Sequence, residues 1–172
     1  VFQVATQHEN VPEEIDWMDR IARLTGRRVS FNLSQIDGDP ELWRRGLALL
    51  EAADDRVVAQ VAGRAIGILQ CWEGTAHPFY NRPSYLAVHS RPPAERLEAL
   101  RDPELRTRIL AEEPLDVGEL GNFVTRAWHK MFPAAECVDY EPAPEQSVAG
   151  IASREGRSPD EVAWDALMER DG

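Results

Sequence analysis

"RRVSFNLSQ", residues 27–35, decides how this chain is read. Val29, Phe31 and Leu33 alternate with Ser30, Asn32 and Ser34, the period of a β-strand with one apolar and one polar face. A helical pattern lies on either side. Upstream, "VPEEIDWMDRIARLTGR" (11–27) puts Pro12 in a first turn and Glu13 and Glu14 at the positive end of the helix dipole. Ile15, Met18, Ile21 and Ala22, flanked by Leu24, form its apolar stripe, and Gly26 stands where a left-handed residue ends a helix. Downstream, "DGDPELWRRGLALLEAADD" (37–55) supplies Asp39 as N-cap, Pro40 just inside, and Leu42, Trp43, Leu47, Leu49 and Leu50 for a core.

Beyond these helices lie two further strands. "VFQVATQHEN" (1–10) sets Phe2 and Val4 against Gln3, Ala5 and Gln7, and "RVVAQVAGRAIGI" (56–68) sets Val57, Ala59 and Val61 against Val58, Gln60 and Ala62. The order βαβαβ predicts an α/β fold, with three parallel strands side by side and both helices on one face. Parallel sheets are ordinarily covered on both faces. Here the second face carries Gln3, Gln7, Ser30, Asn32, Ser34 and Gln60. A polar strip of that kind fits the lined interior of a β/α (TIM-type) barrel, which closes with about eight strands. The expectation over residues 1–70 is thus part of such a barrel. A chain that starts inside a strand and stops at Asp171–Gly172 reads as a fragment of a larger catalytic domain, and its open strand edges predict self-association.

Past Gly67 the rhythm stops. "CWEGTAHPFYNRPSYLAVHSRPP" (71–93) has neither period and reads as a long ordered loop. Residues 94–172 read as mainly helical. "AERLEALRDPELRTRILAEE" (94–113) holds two helices, the second restarted at Asp102 and Pro103. "VGELGNFVTRAWHKMFPAAECVDYEP" (117–142) reads as irregular or as a short strand. Two short helices follow, at 144–156 and from 158, the last with a capping box in Ser158 and Glu161.

Composition narrows the function classes. A net charge of −11, from 30 acids against 19 bases, argues against nucleic acid or an anionic membrane surface as partner. No apolar run approaches the roughly 20 residues that span a bilayer, and no signal-like start is visible. Two cysteines, Cys71 and Cys137, without CxxC spacing favour a reducing, cytoplasmic setting.

The chemistry-bearing residues leave alternatives open. His8 is either a ligand or base at the carboxyl end of the first strand, or a solvated loop residue. His77 lines a substrate pocket or holds a loop together. His89 and His129 read as surface residues, and no HxH or HExxH spacing builds a metal site, so no metal ligand is assigned. Gln60, Ala62 and Arg64 share a face, so Arg64 can grip a carboxylate with its planar fork or form a surface ion pair. Glu9, Asp37 and Glu73 sit near strand ends as bases or as solvated acids. Asn32, Ser34, Gln60, Arg64 and His77 are the candidate substrate-binding set, and the residues alone point to no catalytic group.

Taken in order, "GRRVSFNLSQ", "ELWRRGLALLEAA", "VVAQVAGRAIGILQCWEGTAHPFYNRPSY" and "RLEALRDPELRTRILAEE" resemble the middle of the amidohydrolase 3 family, particularly its N-acyl-D-amino-acid deacylase (D-aminoacylase) relatives. "VDYEPAPEQSVAGIASREGRSPDEVAWDALMERDG" is similar to the stretch before the family's catalytic aspartate. The resemblance implies a hydrolase of amide C–N bonds in N-acyl amino acids, in which zinc activates water, an aspartate shuttles the proton and basic residues hold the substrate carboxylate. The family's metal histidines and aspartate fall outside this chain, and Leu33 and Ser34 stand where members draw a ligand from the second strand. Gln60 and Arg64 carry over as pocket residues. By this likeness zinc belongs to the parent protein, none is expected on this segment, and the segment alone is expected to be inactive. A self-contained α/β binding or interaction module is the alternative.

Overall fold

β2 (Val29–Asn32) runs between β1 (Phe2–Val4) and β3 (Val57–Gln60), parallel to both. The computed structural model describes residues 1–7, 10–63, 67–134 and 139–169, with Glu119 and Leu120 as backbone only. Across the sheet Phe2 stands beside Val29 and Val57, Gln3 beside Ser30 and Val58, and Asn32 beside Gln60. Alternation therefore gives one apolar and one largely polar face. The chain is mixed α/β, with this sheet and eight α-helices among the described residues. It divides into two compact units, residues 1–66 and 67–172.

In the first unit α1 (Val11–Thr25) and α2 (Leu42–Leu50) cover the apolar face. Met18, Ala22, Val29 and Phe31 are fully shielded there, joined by Val11, Ile15, Leu33 and Val57. Full burial of an aliphatic or aromatic side chain contributes roughly 1.5–3 kcal/mol. Gly46 lies at the closest approach of α2 to α1 and β2, where a Cβ on it would stand 3.3 Å from both Leu33 Cδ1 and Val11 Cγ1. α1 ends as expected at Gly26, with φ +64° and its N–H on the Ala22 carbonyl. α2 is regular from Leu42, and the turn leading into it opens at Asp39, whose carboxylate accepts from the Glu41 and Leu42 backbone N–H groups and pairs with Arg45 at 2.5 Å. At the far end of α1, Asp19 accepts the Asp54 N–H at 2.7 Å and Arg23 Nε–H at 2.7 Å, tying the helix to the turn before β3.

β3 is shorter than expected. The last ladder bond runs from Leu33 N–H to the Gln60 carbonyl at 2.9 Å; β2 then departs, leaving Val61 and Ala62 exposed outside the strand. Gln7 also leaves the polar strip: its N–H donates to Glu14 at 3.3 Å and its side chain accepts from Asn10 at 3.0 Å, at the entry to α1.

The second unit is helical: α3 (Pro83–His89), α4 (Pro93–Leu100), α5 (Pro103–Ala111), α6 (Gly118–Arg126), α7 (Val148–Glu155) and α8 (Pro159–Met168). Asp102 caps α5 through the Glu104 N–H at 3.0 Å, and Ser158 and Glu161 form the reciprocal box of α8. Two helices depart from the sequence expectation. α3 lies inside the stretch read as loop, with only Tyr85 and Val88 buried from a single short turn-pair between prolines. α6 and a 3-10 turn at Trp128–Lys130 replace the irregular stretch; Gly118 and Gly121 had masked the helical pattern. The core gathers Trp72, Phe79, Tyr85, Leu100, Ile109 and Trp164, among others. No helix among the described residues is long and apolar enough to cross a membrane.

Candidate functional site

Because the three strands run the same way, their carboxyl ends share one edge of the sheet. Gln3, Ser30, Asn32 and Gln60 face away from α1 and α2 on this sheet, and Asn32 and Gln60 are neighbours at that edge. Gln3 and Gln60 are exposed, Asn32 and Ser34 half-buried, and Ser30 buried with its hydroxyl donating to the Phe2 carbonyl at 3.4 Å. Thr6, which the sequence reading did not single out, completes the edge. Its N–H donates to Asn32 Oδ1 at 3.0 Å, and its hydroxyl donates to the Asn32 carbonyl at 2.8 Å. A strand-end threonine beside a strand-end asparagine leaves no period in sequence that would pair them.

Ser34 lies past the end of β2, and Gln60 presents an amide to solvent at the edge of the strip. Such an amide can donate to a substrate carbonyl and accept from an N–H. Arg64, His8 and Glu9 lie outside the described residues. Asp37 and Glu73 are exposed.

His77 belongs to the second unit and is fully buried. Its Nδ1 accepts the Phe79 N–H at 3.2 Å, which leaves the ring proton on Nε2, and among the described residues Nε2 has no hydrogen-bond partner. The ring is packed among Tyr85 at 4.5 Å and Trp72 at 4.9 Å, set at 83° and 65°. Perpendicular aromatic planes accommodate an N–H edge without a lone-pair acceptor. Burial, then the positive Arg96 and His89, push its pKa down to about 3. It is a neutral packing element in this setting, with no opening to a substrate. Arg96, which sequence reading also passed over, is buried on α4 and donates to the carbonyls of Trp72 and His89, each at 2.9 Å.

A partly buried ion pair joins Arg82 to Asp160 at 2.5 Å, where burial pushes the Asp160 carboxyl up and Arg82 partly offsets the rise. Two shallow grooves of about 520 and 400 Å3 open over α3, α4 and α5, and Arg91 and Ala99 line both. Among the described residues, none of the expected site residues lines either one. His89 and His129 are exposed. Among the described residues no three His, Cys, Asp or Glu side chains converge on a metal-sized site.

No family model matches the chain, and no curated protein or solved structure does so significantly. The functional reading therefore rests on the polar strip and on the sequence resemblance.

Proposed function

We propose that this chain is a barrel segment of a metal-dependent, D-aminoacylase-like amidohydrolase, acting in the cytoplasm on the amide C–N bond of N-acyl amino acids. The observation that carries the reading is a parallel sheet in chain order whose face opposite α1 and α2 bears Gln3, Ser30, Asn32 and Gln60, with the last two side by side at the carboxyl edge. Barrel enzymes place their substrate groups at that edge. In this reading Gln60 holds the substrate amide and Arg64 its carboxylate, by the paired hydrogen bonds a guanidinium offers. In this reading zinc is held by residues of the parent protein outside this segment, as the resemblance implies, and these strands contribute binding. Unpaired edges of β1 and β3 would drive this chain to self-associate when it stands alone.

The test is to extend the reading frame on both sides, purify the longer protein, and assay it on N-acetyl-D-amino acids with and without a chelator. Chelator-sensitive hydrolysis is expected, with Gln60→Ala lowering kcat/KM roughly tenfold, the worth of one lost hydrogen bond. An extended protein lacking paired histidines and an aspartate, or inert towards acylated amino acids, overturns the reading. The 172-residue chain itself is expected to show neither turnover nor stoichiometric zinc.

A second reading, a self-contained α/β interaction module, is favoured by one observation. Part of the polar face is spent internally, with Ser30 buried and Asn32 occupied by Thr6. That module would remain monomeric in light scattering, whereas the barrel segment would not.

A further inference from the structure

The turn from Cys71 to Arg82 closes around His77, and every group that meets the ring is suited to its neutral form. Nδ1 is committed as an acceptor to the Phe79 N–H. Among the described residues Nε2 has no hydrogen-bond partner, and the ring lies against those of Trp72, Tyr85 and, at 6.4 Å, Tyr80. The charges that bear on the ring are both basic, Arg96 from α4 and His89 at the end of α3. Arg96 also fastens this turn by donating to the Trp72 carbonyl. On α8, Trp164 packs at 4.9 Å against Trp72 and 5.2 Å against Phe79, while the carboxylate of Asp160 is already paired with Arg82.

We propose that His77 is an acid-operated latch: protonation of its ring releases the Cys71–Arg82 turn from α3, α4 and α8 and opens the aromatic core of this unit. A second ring proton would sit on Nδ1 and face the Phe79 N–H, donor against donor, so that bond is lost. The new positive charge would lie beside Arg96, whose retreat would undo the bond to Trp72. Burial supports the same direction, since the ring stays neutral in the fold to about pH 3 against 6.5 in an unstructured chain. Throughout that interval the open turn binds a proton that the closed turn refuses. The open population therefore grows by up to tenfold for each pH unit lost.

The experiment is amide hydrogen exchange on the whole chain between pH 7 and 5, corrected for intrinsic rates, in the wild type and in His77→Asn. Asparagine Oδ1 can replace Nδ1 as acceptor for the Phe79 N–H but does not titrate. Protection of residues 72–82 is expected to fall about tenfold per pH unit below 6.5 in the wild type and to stay level in the variant. Equal pH dependence in both proteins overturns the latch. Should the variant fail to fold, nitrogen NMR of the wild-type imidazole decides. A neutral ring with its proton on Nε2 at pH 5 supports the proposal, and a cationic ring in the folded protein at that pH overturns it. Neither readout depends on amidohydrolase activity, so the latch and the proposed function can fail separately.

Discussion

Asn32 holds Thr6 by two bonds, Oδ1 accepting its N–H at 3.0 Å and the Asn32 carbonyl accepting its hydroxyl at 2.8 Å. The clasp extends the β1–β2 pairing beyond the last ladder residue and fixes the course of the chain at the carboxyl edge of the sheet. One side chain of the polar strip is thus structural.

Asn32→Ala would leave the Thr6 N–H without its acceptor in a buried position, at a cost of about 1–3 kcal/mol in urea unfolding of the first unit. Asn32→Asp keeps an oxygen in place and should lose less. An alanine variant as stable as the wild type would show that the clasp contributes nothing.

The Arg82–Asp160 pair should respond asymmetrically. The Arg82 side chain is 8% exposed and cannot shed its proton, whereas Asp160 is 24% exposed and its carboxyl is already pushed towards the neutral form by burial. Asp160→Ala strands a buried cation, which costs about 3–5 kcal/mol; Arg82→Met leaves a carboxyl that can hydrate or protonate, and should cost about half as much. Thermal unfolding of the two variants measures the order, and the reverse order would contradict this account.

The strand at Val29–Asn32 and the helices beside it were legible because their signals are local: alternation, prolines in first turns, and Gly26 as a helix stop. The length of β3 was not, because it depends on where β2 turns away rather than on the apolar alternation of Val57–Val61. α3 was hidden for a related reason: seven residues that bury only Tyr85 and Val88 show no full helical period. At the candidate site the shared face of Ser30, Asn32 and Gln60 followed from the period and the parallel order. The Thr6 clasp and the burial of His77 did not, since each needs partners brought in from distant segments, such as Arg96 and Trp164.

Two glycines in helices should give different answers to alanine. At Gly150 a Cβ would fall 2.6 Å from the Pro144 carbonyl oxygen and 2.7 Å from the Glu145 backbone, atoms that cannot rotate aside. Gly150→Ala should therefore cost about 1–3 kcal/mol despite the better helix propensity of alanine. At Gly46 the nearest atoms, at 3.3 Å, are methyl ends of Leu33 and Val11, which can shift. There the propensity gain of about 1 kcal/mol should roughly cancel the crowding. Comparable losses in both variants would refute the distinction between backbone and side-chain obstruction.

Acid should open the two units in different pH windows. In the second, His77 has a folded pKa of about 3 against 6.5 when unfolded, so its stabilising effect is complete above pH 6.5 and is lost as pH falls through that interval. At about 1.4 kcal/mol per pH unit the full loss is on the order of 5 kcal/mol. Asp160 acts in the opposite sense, because its raised pKa makes its charged form less costly to lose in acid. Its burial is partial and its partner offsets it, so His77 prevails. In the first unit the groups that matter are Asp54 and Asp19, held below the usual carboxylate value by hydrogen bonds from Arg56 and Arg23 respectively. Their contribution is intact above 3.8 and fades only below it. Fluorine NMR of the chain labelled at tryptophan separates the units, since Trp17 and Trp43 report the first, and Trp72 and Trp164 the second. Trp72 and Trp164 should reach their unfolded shifts at a higher pH than Trp17 and Trp43; a single shared transition, or the opposite order, would remove His77 as the acid-sensitive element.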